Sequence, residues 1–428
     1  MTHNTRTYFL QAFLFLMTIM TTTYCGAEWI DDDALSGWDY FWSGLEYSIP
    51  FLSILTIHEF GHYFCARKYG VETTLPYYIP LPLLGVGTLG AFIRMKAQAS
   101  SKKAMFDIGI AGPLAGFVAA LLVLIYGFTH LPDKEYIERL NPSYKKMYGE
   151  DYEKHVYTYE FARKNDSVKH EEKMQKDSLS FIKEKKEALE KGQADTTHWQ
   201  RKAFKPEEAY GVMALGDNIL FWVLSKWLVV DQSLLPNAYE MFQYPYLIAG
   251  YLALFFTALN LLPIGQLDGG HVIYGLFGYR RHRFISVSFF TVFVLIAGIG
   301  IFKDNLLGIN FFSADPLNMV LFAGAYVYFL YSMYEKFFIK NKTTAVLIAT
   351  SIFALQFLIE FAIPSWHGFS GWMMVFAYLV GRFLGLEHPP AAIEEPLDWK
   401  RKVLGWLALL IFVLCFTPEV FNIKILTP

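Results

Sequence analysis

Apolar runs close to the length of a membrane-spanning helix recur along this chain, and they restrict the folds open to it. A helix needs about 20 predominantly apolar residues to cross a bilayer. In the whole sequence 54% of residues are hydrophobic and 18% are charged, fewer charges than a soluble enzyme of this length usually carries. About nine runs approach the required length. By residue number they are 8–24, 45–66, 105–128, 246–262, 284–302, 316–334, 343–363, 371–386 and 403–420. The sequence predicts an all-α polytopic membrane protein.

The first run, 8–24, has two interpretations. It could be a secretory signal peptide, because the small residues Gly26 and Ala27 follow it. Its length and its single preceding cation, Arg6, favour a retained first helix.

Positive charge favours the cytoplasmic side of short loops. Basic residues cluster after the second run, at 280–283, at 336–342 and at 400–402. About nine helices with a cytoplasmic N-terminus place all of these clusters inside. The acidic loop 28–39 and the Lys- and Glu-rich segment 131–244 then lie outside, as an extracytoplasmic insertion that ends in an interfacial helix at 217–230.

We predict five regions from these patterns. They are 1–44, the first helix and acidic loop; 45–130, the first part of a core; 131–244, the insertion; 245–283, the second part of the core; and 284–428, additional helices. The three cysteines imply no disulfide framework. No basic cluster with interleaved aromatic residues occurs, so we expect no nucleic acid partner.

The second run carries ionisable residues in an apolar helix. His58 and His62 are four residues apart, so on a helix they share one face. Two such histidines can bind one Zn²⁺, and Glu59 between them can act on a metal-bound water. An ion-pair cluster between helices is the structural alternative. Polar groups at this depth are costly and usually functional.

Catalytic zinc takes three protein ligands, so a third must come from elsewhere. Asp268, at the end of the 246–262 run and followed by two glycines, is the best candidate. The alternative for Asp268 is a turn outside the membrane. His271 is a weaker candidate ligand, and Asp107 is expected to be a helix cap or packing partner.

The segment between residues 74 and 94 is apolar but rich in Pro and Gly. Pro76, Pro80 and Pro82 exclude a helix, and a short strand pair at the bilayer edge would fit. In the third run, Gly109, Gly112 and Gly116 have the spacing that lets helices approach closely.

Together these motifs resemble the site-2 protease family of intramembrane zinc metalloproteases. The resemblance rests on His58-Glu59-Phe60-Gly61-His62, on Ala111-Gly112-Pro113, and on the segment from Asn260-Leu-Leu-Pro to Leu-Asp268-Gly-Gly-His271. It implies zinc bound by His58, His62 and Asp268, with Glu59 as general base. It also implies that the glycine-rich segment is a membrane-embedded hairpin that receives an unwound substrate as an added strand.

On this basis we expect five residues to contact substrate. They are Asn260, Gly87, Thr88, Leu89 and Gly90. Two departures from the family pattern affect substrate choice. Gly116 stands where many members have Asn, and the insertion lacks the features of a PDZ domain, so the chain resembles the PDZ-less branch that includes chloroplast members.

The expected function is hydrolysis of peptide bonds within or near transmembrane segments of other membrane proteins. A metal-ion transporter and a catalytically inert relative that binds membrane proteins are the alternatives. The polar pair Glu387-His388 before Pro389 is predicted to mark a helix end near the cytoplasmic face, with no identifiable partner.

Overall fold

The computed structural model describes residues 3–30, 35–82, 85–97, 99–133, 135–140, 152–190, 210–302, 315–338, 341–363, 366 and 371–426. The acidic residues predicted at 31–33 and most of the predicted loop 303–315 lie outside these ranges. The chain forms two compact units. One comprises 1–131 and 215–421, and the other comprises 132–214 and 422–428.

The described residues are mostly helical. The helices are α1 (His3–Ile30), α2 (Gly37–Ser43), α3 (Leu45–Lys68), α4 (Lys102–Thr129), α5 (Tyr136–Leu140), α6 (Glu153–Val156), α7 (Tyr159–Glu190), α8 (Ile219–Leu228), α9 (Pro245–Asn260), α10 (Asp268–Ala297), α11 (Pro316–Tyr334), α12 (Lys342–Ala362), α13 (Gly371–Leu379, continued by a π-turn at Val380–Leu384) and α14 (Trp399–Cys415). The strands are β1 (Tyr77–Leu81), β2 (Gly87–Phe92), β3 (Tyr210–Leu215) and β4 (Phe421–Leu426).

Four helices in the described ranges are long and apolar enough to cross a membrane. They are α1 from Thr5 onward, α4, α11 and α12, while α8, α9 and Met373–Leu384 are shorter apolar helices. The prediction of a helical membrane protein is thus confirmed at this level, and the larger number of spans stays a prediction.

Two small sheets accompany the helices. Strands β1 and β2 form an antiparallel pair, and β3 pairs with β4. The β1–β2 hairpin is the strand pair expected between residues 74 and 94. Its register shifts between Tyr78 and Pro80, where the Thr88 hydroxyl donates a hydrogen bond to the carbonyl of Ile79 at 2.8 Å.

Helix α1 packs directly on this hairpin. The amide of Gln11 donates to the carbonyl of Leu75 at 2.6 Å, and the hydroxyl of Thr21 donates to the carbonyl of Gly87 at 2.7 Å. Burying a polar side chain in apolar surroundings costs free energy unless it forms a hydrogen bond, so these two bonds stabilise the contact. The hairpin is therefore held from one side by the first helix of the chain.

Helices α3, α4 and α9 pack together around the centre of the first unit. A Cβ atom added to Gly61 would lie 2.6 Å from the carbonyl oxygen of Ala111, closer than real Cβ contacts allow. Of the three glycines predicted to permit close helix packing, Gly112 and Gly116 face α3, and Gly109 faces His271 of α10. Helix α9 is buried along nearly its whole length.

Helix α10 is bent at Gly278, which has φ 76° and ψ 172°. The basic cluster 280–283, predicted as a loop, lies within this helix just beyond the bend. The apolar run at 284–302 is accordingly the second half of α10, and the boundary predicted between 283 and 284 falls inside a helix. Apolar periodicity could not reveal this, because a charged stretch can be helical.

The second unit contains the described part of the insertion. Helix α7 lies in the Lys- and Glu-rich part of this insertion and runs from Tyr159 to Glu190. The hydroxyl of Tyr210, at the start of β3, donates to a carboxylate oxygen of Asp166 on α7 at 3.1 Å.

Candidate metal centre

Two helices bring three potential ligands together. Helix α3 presents His58 and His62 on one face, and α10 begins at Asp268. The Nε2 atoms of His58 and His62 lie 3.1 Å apart, and Oδ2 of Asp268 lies 3.4 Å from the first and 3.3 Å from the second. Within the described ranges, these three residues are the one set of three or more such side chains that could hold a metal ion.

The three distances match a tetrahedral zinc site. With ligand bonds near 2.0–2.1 Å, two donor atoms of a tetrahedron lie about 3.3 Å apart. The two imidazole nitrogens and the carboxylate oxygen surround a small space and are ligand types that zinc accepts, so the donor set fits zinc in both spacing and chemistry.

The backbone of α4 fixes the orientation of His62. Its Nδ1 atom lies 2.7 Å from the carbonyl oxygen of Ile108, and a carbonyl can only accept, so His62 donates from Nδ1. In a neutral ring this leaves Nε2 without a proton and directed at the centre, which is the usual arrangement for a ligating histidine. The sequence identified His62 but gave no sign of this partner.

Glycines of α4 form the surface beneath the two imidazoles. A Cβ atom at Gly112 would lie 2.1 Å from Nε2 of His62, and one at Gly116 would lie 3.1 Å from Nδ1 of His58. The departure from Asn at Gly116 is therefore compatible with close packing against His58.

A cavity of about 370 Å³ opens beside the three ligands. Glu59 lines it and is only 6% exposed, so its carboxylate faces a confined space rather than bulk water. Asn260, at the end of α9, also lines the cavity, and its amide nitrogen lies 3.4 Å from Nε2 of His58. An acid–base side chain and an amide donor are thus adjacent to the candidate metal centre.

Asp268 opens a helix instead of ending one. The 246–262 run stops at Asn260, the chain turns, and Asp268 is the first residue of α10. The turn brings the carboxylate back to the depth of the two histidines.

The predicted substrate residues of the hairpin occupy two kinds of position. Gly87 packs on the backbone of Thr22 in α1, and Thr88 is 2% exposed with its hydroxyl committed to Ile79, so both serve the hairpin itself. Leu89 is 43% exposed, and nothing lies within 4 Å of a Cβ at Gly90.

The residues of the hairpin that line the cavity follow Gly90 in the chain. Ala91 and Phe92 of β2 and the following Ile93 face it, together with Gln266 and Leu267 from the turn before α10. Sequence reasoning missed these residues. A strand's position relative to a distant helix depends on tertiary packing, which the local pattern does not specify.

His271 also lines the cavity, although it is not part of the three-ligand set. Its Nδ1 atom lies 2.7 Å from Nε2 of His388, in the segment after α13. The prediction that His388 has no identifiable partner is therefore wrong. The two residues are 117 positions apart, and no local signal connects them.

Asp107 is a packing partner rather than a helix cap. Its carboxylate accepts two hydrogen bonds from Arg401 of α14, at 2.8 Å from Nε and 2.7 Å from Nη2. The N-cap of α4 is Ser101, whose hydroxyl accepts from the backbone of Ala104.

The family model of peptidase family M50 matches residues 46–302, more than half of the chain. This range contains α3, the hairpin, α4, α9 and α10, and therefore every residue of the candidate metal centre. The chain belongs to peptidase family M50, the site-2 protease family.

The curated relatives resemble this chain at low sequence identity and over only part of their length. The chain is 26% identical over 236 residues to the probable chloroplastic zinc metalloprotease EGY1 of Oryza sativa subsp. japonica, covering 55% of this chain and 28% of that protein. It is 27% identical over 115 residues to the probable chloroplastic zinc metalloprotease EGY2 of Arabidopsis thaliana, covering 26% and 20%. It is 34% identical over 85 residues to zinc metalloprotease MJ0392 of Methanocaldococcus jannaschii, covering 20% and 22%.

The chain spans about a quarter of the length of the curated relatives that it matches. No solved structure matches it. The family and the names of these relatives imply zinc as the cofactor, in agreement with the donor set described above.

Proposed function

We propose that this protein is an intramembrane zinc metalloprotease that hydrolyses peptide bonds within or near transmembrane segments of other membrane proteins. The observation that carries the proposal is the convergence of His58, His62 and Asp268 in a buried site, with Glu59 lining the same cavity. The first three would hold zinc and Glu59 would be the general base. A zinc-binding function alone does not require a carboxylate beside the ligands.

When bound, zinc supplies Lewis acidity toward the scissile carbonyl and toward the attacking water. The chain's own residues carry the proton. Glu59 accepts it from the water and later delivers it to the leaving amine. The Asn260 amide can donate a hydrogen bond to the substrate carbonyl oxygen or hold substrate backbone.

A helical substrate must unwind before its peptide bond can reach this site, because helical N–H and C=O groups are paired along the helix. Leu89, which is exposed, and the adjacent Gly90, where an added Cβ would meet nothing, would receive the unwound segment as an added strand on β2. The adjacent Ala91 and Phe92 would then direct it into the cavity.

The proposed topology has about nine spans, a cytoplasmic N-terminus and an extracytoplasmic insertion at 131–244. It requires the C-terminal halves of α3 and α9 to reach the same depth from the same side. The 3.4 Å separation of Asn260 and His58 supports this arrangement. Regions 45–130 and 245–283 would together supply the catalytic residues, and 284–428 would supply helices around them.

The first prediction tests Glu59. We expect Glu59→Gln to retain zinc, because Glu59 is not one of the three proposed ligands, and to lower kcat at least about 100-fold through loss of the base. The measurement compares purified wild type and variant in detergent, by elemental analysis and by cleavage of a peptide containing a transmembrane segment.

Glu46→Gln is the matched control, because Glu46 is an exposed glutamate in the first turn of the same helix. It should leave zinc content and cleavage unchanged. Equal cleavage by wild type and Glu59→Gln would contradict the assignment of the base. Zinc flux into liposomes without cleavage would favour a transporter, and bound zinc with neither activity would favour an inert relative.

A further inference from the structure

We propose that His388 positions His271 so that the unprotonated Nε2 atom of His271 accepts a hydrogen bond from a peptide N–H of the bound substrate. This inference rests on the proposed function. It assigns a substrate-contacting role to His271 and a positioning role to a segment outside the range that the family model matches.

Hydrogen bonds set the tautomers of both histidines. Nδ1 of His388 lies 2.7 Å from the carbonyl oxygen of Pro389, which can only accept, so this nitrogen carries a proton. In a neutral ring Nε2 of His388 is then an acceptor, and the partner at 2.7 Å, Nδ1 of His271, must be the donor. The same reasoning leaves Nε2 of neutral His271 without a proton.

The surroundings of His388 keep its ring neutral and immobile. The side chain is 1% exposed, and burial lowers the pKa of His388. The ring of Tyr274 stacks on it at 4.2 Å with an interplanar angle of 15°. The Tyr274 hydroxyl in turn accepts from the backbone of Ala391 at 2.7 Å and donates to Glu394.

The segment that carries His388 is attached to the core near the start of α4. The backbone N–H of Ile393 donates to the carbonyl of Ser100 at 3.1 Å, and the backbone N–H of Lys102 donates to the carbonyl of Ile393 at 3.0 Å. Helix α4 also supports the metal site, so the segment holding His388 and the elements holding the ligands share one framework.

His271 lines the cavity together with Glu59 and Asn260. Among the described residues, Nδ1 contacts His388 and no residue hydrogen-bonds Nε2, so Nε2 is the polar ring atom left for a ligand. An unwound substrate segment exposes N–H donors that cost free energy when buried without acceptors. Strand β2 can form backbone hydrogen bonds with one edge of the substrate segment. His271 supplies an acceptor for a substrate N–H that β2 does not pair.

Kinetics with backbone-modified substrates test the contact. We expect His271→Ala to lower kcat/KM about 10- to 100-fold, as for loss of a hydrogen bond that leaves a buried donor unpaired. An ester substituted for successive peptide bonds removes one N–H at a time. At one position the ester should reduce the kcat/KM of the wild type. The same ester should cause no further reduction in His271→Ala, because both changes delete the same hydrogen bond.

The positioning role is tested by rescue. His388→Ala should lower kcat/KM about 10-fold, a size typical of lost supporting interactions. His388→Gln keeps an acceptor near the position of Nε2 and should recover most of that loss. Zinc content should be unchanged in all three variants. His130→Gln is the matched control, because His130 caps the opposite end of α4 and should leave the kinetics unaffected.

Nitrogen NMR of ¹⁵N-histidine-labelled protein gives a readout independent of catalysis. Difference spectra against the His271 and His388 variants should assign both rings to the tautomer protonated at Nδ1, with and without zinc. Protonation of His271 at Nε2 would overturn the inference, as would additive effects of His271→Ala and every ester.

The outcomes separate this inference from the proposed function. Wild-type kinetics in His271→Ala, together with loss of cleavage in Glu59→Gln, would sink the inference and leave the protease assignment intact. Absence of cleavage by wild type would contradict both. In every case the labelled spectra decide whether the His271–His388 pair exists as described.

Discussion

At the scale of single residues, the metal centre depends on a position that has no side chain. A Cβ at Gly112 would lie 2.1 Å from Nε2 and 2.4 Å from Cδ2 of His62. Because both helices are held by further contacts, neither can move freely to make room. The imidazole itself would have to rotate away from the other two ligands.

We therefore expect Gly112→Ala to lower zinc affinity by about 10- to 100-fold or more, the loss seen when groups that orient ligands are disturbed. Zinc titration of the metal-free protein with a competing chelator measures this. Gly324→Ala on α11 is the matched control, because nothing lies within 4 Å of its added Cβ and alanine favours helix. Unchanged zinc affinity in Gly112→Ala would refute the argument.

Much of the site at this scale could be predicted from the sequence. His58, Glu59 and His62 follow from helical spacing, and Asp268 follows from the need for a third ligand. The carbonyl of Ile108, the cavity residues 91–93 and the link to His388 could not be predicted. Each depends on which distant segments meet, and hydrophobic periodicity describes only the faces of individual elements.

At the scale of elements, α1 meets the hairpin through a close backbone contact at Gly87, in addition to the hydrogen bonds from Gln11 and Thr21. Gly87 and Gly90 of β2 both have positive φ, 87° and 105°, so any other residue is strained at either position. They differ in their surroundings. A Cβ at Gly87 would lie 2.4 Å from Cα of Thr22 on α1, and a Cβ at Gly90 would meet nothing within 4 Å.

Substitutions at Gly87 and Gly90 separate the effect of backbone strain from the effect of lost packing between the hairpin and α1. Gly87→Ala and Gly90→Ala should share a strain cost of about 1–2 kcal/mol. Gly87→Ala should in addition displace the hairpin from α1 and expose it to proteolysis. Limited proteolysis, read by the cleavage positions between 74 and 94, measures the difference. Equal protection of the two variants would mean that α1 does not position the hairpin.

At the scale of the whole first unit, α14 is tied to the core by Arg401 and Asp107. The guanidinium makes two hydrogen bonds to the carboxylate, and both side chains are partly buried, at 28% and 23% exposed. A geometry with two parallel bonds is stronger than a single charge contact. The neighbouring Tyr69, at the end of α3, also donates to Asp107.

A double-mutant cycle tests this connection. For Arg401→Met and Asp107→Asn we expect a coupling energy of about 1–2 kcal/mol, between the values typical of exposed and of buried ion pairs. Unfolding in graded SDS measures it. The exposed pair Lys96–Glu72, at 60% and 70% exposed, is the control and should couple by less than about 0.5 kcal/mol. Equal coupling in the two pairs would show that Arg401 does not hold α14.

For the molecule as a whole, the sequence predicts part of the fold and leaves part of it undetermined. Apolar runs locate most of the helices because burial in lipid requires them. The continuity of α10 through the charged residues 280–283 and the pairing of β3 with β4 cannot be predicted from the sequence. A charged break between apolar runs is typical of a loop, and a two-stranded sheet between segments about 200 residues apart leaves no local signal.

The convergence of ligands from α3 and α10 has a thermodynamic consequence. On the proposed assignment, zinc joins His62 to Asp268 across roughly 200 residues of chain, a closure that the unfolded polypeptide cannot maintain. Binding to the folded state alone adds about 2.7 kcal/mol of stability when free zinc is 100-fold above its dissociation constant. The lifetime of the folded protein in the membrane would then rise and fall with zinc supply, so scarcity of the metal would lower the amount of enzyme as well as its activity.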